Sequence, residues 1–179
     1  MFFHATRLVG VTIIERVAHR DERGFFTRLH DPDLFARHDH PFMPVQTSLS
    51  HNTQAGTLRG LHWQTAPMAE TKLVRVMRGS ILDVCVDIRP DSPTFRNWIS
   101  VELNADTGLG LLIGPGIAHG FITLTDTTDV LYQISPHHAP DYAAGARWDD
   151  PAFNIDWRQQ PTLISERDQS FPPFMDRSL

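Results

Sequence analysis

From Val45 to Ser135 the chain is a succession of short apolar, β-branched segments with turn residues between them. The spacing is about 8–12 residues, the rhythm of a β-sandwich or barrel. Strands are expected at 45–50, 58–64, 72–77, 80–88, 95–103, 111–113, 119–124 and 129–135. Parallel strands need a crossover of about a dozen residues, usually a helix, and the intervals leave no room for one. An all-β fold follows, with 72–77 and 80–88 expected to form a hairpin around Arg78-Gly79.

Upstream, 8–17 reads as a further strand, 19–24 as a loop, and Phe25-Phe26 as extended chain. The segment 31–38 is the best helix: Asp31 can cap it, Pro32 suits its first position, and Leu34 and Phe35 supply a buried side. From Pro136 the texture becomes loop-rich, ending in a helical turn at Ser165–Asp168. The 179 residues suffice for one domain and hardly for two. The expectation is a single domain with a core over about 8–135 and a tail, 136–179, packed on it.

A formal charge of -5 offers no basic surface for nucleic acid, although a few local cations can still hold a phosphorylated ligand. The one cysteine, Cys85, lies in an apolar run and cannot form an internal disulfide. No run is long enough to span a membrane, and the N-terminus lacks a basic-then-apolar signal pattern, so the expected location is cytoplasmic.

Chemistry concentrates in Leu58-Arg59-Gly60-Leu61-His62-Trp63-Gln64 and Lys72-Leu73-Val74-Arg75-Val76. A histidine and a lysine on neighbouring strands suit proton removal with stabilisation of the charge left behind. By strand parity His62 shares a face with Leu58, Gly60 and Gln64, while Lys72 shares one with Val74 and Val76. Arg59 then points away from His62 unless Gly60 marks a bulge. His119 follows turn glycines at the start of an apolar strand, and Tyr132 lies on a face with Val130 and Ile134. Each has a plain structural reading as a hydrogen-bonded core side chain. The ten histidines also admit a metal centre built on His62 and His119, with His51 or a carboxylate as third ligand. Yet the only His-x-His, His38 and His40, lies in a polar loop.

These segments together resemble the dTDP-4-dehydrorhamnose 3,5-epimerases, the RmlC-like sugar epimerases of the cupin group. The resemblance is carried by Arg23-Gly24-Phe25-Phe26, by 58–64 and 72–76, and by Asp83-Val84-Cys85-Val86-Asp87-Ile88-Arg89. Ser92-Pro93-Thr94-Phe95, Ala118-His119-Gly120-Phe121, Leu131-Tyr132, Arg147–Pro151 and Ile155-Asp156-Trp157 extend it over nearly the whole chain. It implies a cupin jelly-roll that dimerises, uses neither metal nor cofactor, and acts on a nucleotide-linked 4-keto-6-deoxyhexose. It implies His62 as base paired with Asp168, Tyr132 as the opposite-face acid, and Lys72 near the keto oxygen. It further implies Arg59 at the diphosphate, with His119, Gln46, Ser48 and His138 about the substrate. Phe26 and Arg28 join them, and Arg23 reaches over from a partner subunit. The chain departs from the family pattern at Arg28, at Thr47-Ser48-Leu49, at Gln133 and at His137-His138.

Three other readings stand beside this one: a metal-dependent cupin enzyme using His62 and His119, a single-centre epimerase or ketoisomerase on another sugar nucleotide, and a non-catalytic sugar-nucleotide binding domain.

Overall fold

The computed structural model describes residues 1–174; the last five residues of the expected tail lie outside them. Two six-stranded layers face each other. The first sheet contains β1 (Phe2–Ala5), β2 (Val11–Glu15), β10 (Leu109–Ile113), β7 (Thr71–Arg78), β12 (Thr128–Ser135) and β5 (Gln46–Asn52), in that order. The second runs β13 (Ala143–Gly145), β6 (Thr57–Gln64), β11 (Ile117–Thr123), β8 (Ser80–Asp87) and β9 (Trp98–Asn104). A two-residue strand, β14 (Leu163–Ile164), joins it by pairing parallel to the start of β6. A separate hairpin of β3 (Ala18–Asp21) and β4 (Gly24–Thr27) pairs with neither layer. No helix among the described residues is long and apolar enough to cross a membrane.

Alternation along the strands builds three apolar clusters. Between the sheets, Leu8, Val11, Val74, Val76, Leu111, Ile113 and Val130 meet Ile81, Cys85, Ile99, Leu103, Ile117 and Phe121. On the outer face of the second sheet, Leu58, Leu61, Trp63, Leu82, Val84, Val86 and Ile88 are covered by Ala146, Phe153 and Trp157 of the tail. β8 is thus buried on both faces, which explains why apolar residues occupy both parities in Ile81-Leu82 and Val84-Cys85-Val86. On the outer face of the first sheet, Ile14, Leu73 and Leu112 pack under Phe35 and Phe42. Phe35 belongs to α1 (Pro32–Arg37), where Asp31 caps the helix by accepting from the Leu34 amide, as its position suggested.

Three expectations need correction. The segments 72–77 and 80–88 do not form a hairpin: β7 and β8 belong to different sheets. Val74 and Val76 face Ile81 and Cys85 across the core, so the strands oppose each other instead of pairing by their edges. At the crossing, Gly79 has φ +73°, and a Cβ there would lie 2.5 Å from Thr128 Oγ1. Of the loop expected over 19–24, residues 19–21 belong to strand β3 and Gly24 opens β4, leaving only residues 22 and 23 as the turn. The tail also contributes β13 and β14, which lie along the open edge of β6. Edge strands need backbone partners, and two short pieces supply them here without any strong local β signal.

Candidate active site

The irregularity at Gly60 organises the site. β6 and β11 pair His62 with His119 and Arg59 with Phe121, and the register slips between these pairs. Gly60 has φ +131°, and a Cβ there would stand 2.5 Å from the Gly120 Cα. The glycine therefore lets two backbones touch while one extra residue enters the strand. Leu58, Leu61 and Trp63 go into the outer cluster, and Arg59, His62 and Gln64 line the interior. This is the break in the pleat that Arg59 required.

A cavity of about 320 Å³ opens between the sheets. His62, Arg59, Gln64 and His119 reach it from the second sheet; Lys72, Tyr132, Ser48 and Ile134 reach it from the first. His138, Glu70 and Arg167 also line it.

Asp168 is buried behind His62. β14 pairs with Thr57 and Leu58, Ser165 then caps the one-turn helix α2 (Glu166–Gln169), and that turn carries Asp168 to the bulge. Its Oδ1 lies 2.8 Å from His62 Nε2, and its Oδ2 accepts the Gly60 amide at 3.0 Å. Burial by itself would raise the Asp168 pKa. Hydrogen bonding and charge at His62, the Gly60 amide and the Ser165 hydroxyl outweigh that and hold it below the usual carboxylate range. Asp168 is thus an acceptor, so His62 Nε2 carries the hydrogen and Nδ1 carries the lone pair.

Lys72 is only 7 % exposed. Its ammonium donates to Glu70 Oε1 at 2.7 Å and, at 3.4 Å, to the His62 carbonyl. His119 Nε2 sits 3.0 Å from both oxygens of Asp83, a fully buried carboxylate. The Tyr132 ring meets the His119 ring edge-on at 5.9 Å. Burial first, and the Asp83 carboxylate second, push the Tyr132 phenol well above its ordinary pKa against the opposing pull of Arg59. Tyr132 is therefore a protonated donor at neutral pH. Arg59 Nε donates to Asn52 Oδ1 at 2.8 Å, fixing the guanidinium at the cavity. Gln46 stands at the rim, its Oε1 accepting from the His138 amide.

Three residues expected about the substrate lie elsewhere within one chain. Arg23 sits at the β3–β4 turn, paired with Asp21. Phe26, 72 % exposed, and Arg28 flank a separate cleft with His19 and Leu34. Arg28 is paired there with Asp31 at 2.7 Å. The expected neighbourhood of Arg28, Ser48 and His138 is thus split: Ser48 and His138 line the cavity between the sheets, and Arg28 lines the separate cleft.

Glu70, Asp83 and Arg167 escaped the sequence reading. Asp83 carried a usable signal, a carboxylate on the inward face of a strand whose other inward residues include Ile81 and Cys85. Glu70 is two residues before Lys72, the spacing that puts extended-chain side chains on one side. The two histidines of the metal reading are tied to different carboxylates, and among the described residues no three His, Cys, Asp or Glu side chains converge on a metal position.

Comparison with known proteins agrees with this geometry. Residues 5–176 match the family model described as dTDP-4-dehydrorhamnose 3,5-epimerase. A protein of that name from Sinorhizobium fredii is 38% identical over 173 residues, covering 96% of this chain and 89% of its own. The crystal structure of the Bacillus anthracis dTDP-4-dehydrorhamnose 3,5-epimerase with TDP and PPi bound superposes with a TM-score of 0.93 at 36% identity. It covers 97% of this chain and 99% of that one. A Legionella pneumophila relative, solved in complex with dTDP-4-keto-L-rhamnose, gives a TM-score of 0.89 at 32% identity, covering 95% and 90% of the two chains.

Proposed function

The chain belongs to the dTDP-4-dehydrorhamnose 3,5-epimerase family, and from that premise we propose that it inverts both C3 and C5 of a dTDP-linked 4-keto-6-deoxyhexose. The observation that carries the reading is the placement of His62 and Tyr132 on facing sheets, across one cavity. Inversion needs a base on one face of a carbon and an acid on the other, and two opposed walls supply them.

Hydrogens beside a ketone are weakly acidic because the electron pair left behind delocalises onto oxygen. His62 Nδ1 takes the proton, and Asp168 stabilises the imidazolium that forms. The negative charge moves to the keto oxygen, where the Lys72 ammonium stabilises the enolate. Tyr132 returns a proton from the opposite face, and its raised pKa keeps it protonated until then. The same machinery serves C3 and C5, which flank the one ketone. Each step moves only protons, and these side chains suffice for it.

Arg59 and Arg167 supply guanidinium donors for the diphosphate, with Ser48, Gln46 and His138 on the nucleotide side. We extend the proposal to a homodimer in which the unpaired β3–β4 hairpin of a second copy brings Arg23, Phe26 and Arg28 to this cavity. The exposure of Phe25 and Phe26 supports it. Cys85 is unpaired, so the chain needs no oxidising compartment, and we place its activity in the cytoplasm.

The direct test is product stereochemistry by NMR after incubation with the dTDP-linked substrate. Inversion at both C3 and C5 is expected. Inversion at one centre would replace this reading by a single-centre epimerase, a migrated carbonyl by a ketoisomerase. No conversion by folded protein with any nucleotide form would end it.

A further inference from the structure

The mechanism above leaves Glu70 without a role. It lies at the end of the 65–70 loop, one residue before β7 begins. That loop is pinned by Gln64, whose side-chain Nε2 donates to the Met68 carbonyl at 2.9 Å while its Oε1 accepts the Ala139 amide at 2.6 Å. The Glu70 side chain is 10% exposed, lines the same cavity as His62 and Tyr132, and reaches Lys72 Nζ at 2.7 Å.

A lysine alone is a poorly aimed point charge. Its stem has four flexible carbons and its ammonium three rotatable donors. In this cavity two of those donors are assigned, one to Glu70 Oε1 and one to the His62 carbonyl. With two directions fixed by a pinned loop and by the strand that carries the base, the third is fixed too. It is the donor left for an enolate oxygen.

We propose that Glu70 is a positioning residue for the epimerisation, aiming the Lys72 ammonium at the enolate oxygen by accepting one of its hydrogen bonds. What Glu70 supplies is an acceptor at a set place; its negative charge is secondary. Full neutralisation of the ammonium would weaken the field that the enolate needs. The inference rests on the epimerase reading and adds a residue to it.

The test compares Glu70→Met, which keeps the volume and removes the acceptor, with Glu70→Gln, whose amide oxygen still accepts. Each is made in the parent and in Lys72→Ala, with Glu70→Ala as a second acceptor-free variant should Met fail to fold. The readout is the initial rate of solvent-deuterium incorporation at several substrate concentrations. Glu70→Met is expected to lower kcat about 10- to 100-fold with KM within about threefold, and Glu70→Gln to recover to within about threefold of the parent. In the Lys72→Ala background, Glu70→Met should cost less than about twofold, because its effect passes through Lys72. An unchanged kcat in Glu70→Met would overturn the proposal. So would an equal loss in both backgrounds, or a Gln variant as slow as Met. Failure of the parent itself to exchange deuterium would instead defeat the underlying epimerase reading.

Discussion

Asp168 holds His62 and Gly60 at once: one carboxylate oxygen lies 2.8 Å from the imidazole Nε2, the other 3.0 Å from the bulge amide. The group that sets the His62 tautomer thereby also stitches the strand irregularity that turns His62 inward. Replacement by Ala removes both. We expect Asp168→Ala to lower the exchange rate about 100-fold or more. It also strands the buried Gly60 N–H, at a cost of about 1–3 kcal/mol of stability. Asp168→Asn can still accept from Gly60, so it should recover most of the stability and little of the rate. Urea unfolding beside exchange kinetics separates the two effects.

Gly60 itself should tolerate no side chain. At φ +131° a Cβ at this position would stand 2.5 Å from the Gly120 Cα, and neither that backbone atom nor a Cβ fixed directly to the main chain can rotate away. Gly60→Ala is expected to lose at least about 2 kcal/mol by denaturant unfolding. Whatever folds should be impaired in activity, because Arg59 and His62 share the cavity through that bulge.

In the proposed mechanism Tyr132→Phe removes the returning acid and leaves the base. Deuterium exchange should therefore survive better than net inversion: the proton leaves through His62 and comes back on the side it left. Equal loss of exchange and inversion would speak against Tyr132 as the opposite-face acid. NMR of the recovered sugar nucleotide reads both quantities in one sample.

A structural consequence concerns Asp87, fully buried and hydrogen-bonded by Arg89, Ser92 and Thr94. Burial would raise its pKa, but these donors bring it down to about 2 from the usual 3.8. A carboxylate whose folded pKa lies below its unfolded one adds stability above the unfolded value and loses it as pH falls through the folded one. The contribution, about 2 kcal/mol, should be full above about pH 4 and vanish toward pH 2. Asp87→Asn should flatten that part of the stability–pH curve, as thermal unfolding across the range would reveal.

Much of this was legible in the residues, for identifiable reasons. Strand period and turn spacing are local properties, so the all-β class and most of the β elements follow from the chain itself. Local periodicity cannot say which strand pairs with which, and so β7 and β8 looked like a hairpin when they face each other across the core. The parity of Arg59 hung on a single glycine, and the bulge at Gly60 decided it. Asp168 is 106 residues from His62, a separation that no spacing rule spans, and it came only through the resemblance. Arg23 and Phe26 sit on the β3–β4 hairpin and Arg28 just after it; that hairpin pairs with neither sheet, and within one chain all three lie apart from the cavity.

The central claim is that His62 removes a proton beside the ketone while Tyr132 faces it from the other sheet. Position-resolved deuterium incorporation from D2O into a dTDP-linked 4-keto-6-deoxyhexose, comparing the parent with His62→Ala, tests it most directly. The account predicts label at both C3 and C5 with the parent and a fall of about 10³-fold or more at both positions in the variant. Exchange by His62→Ala at the parent's rate would contradict it.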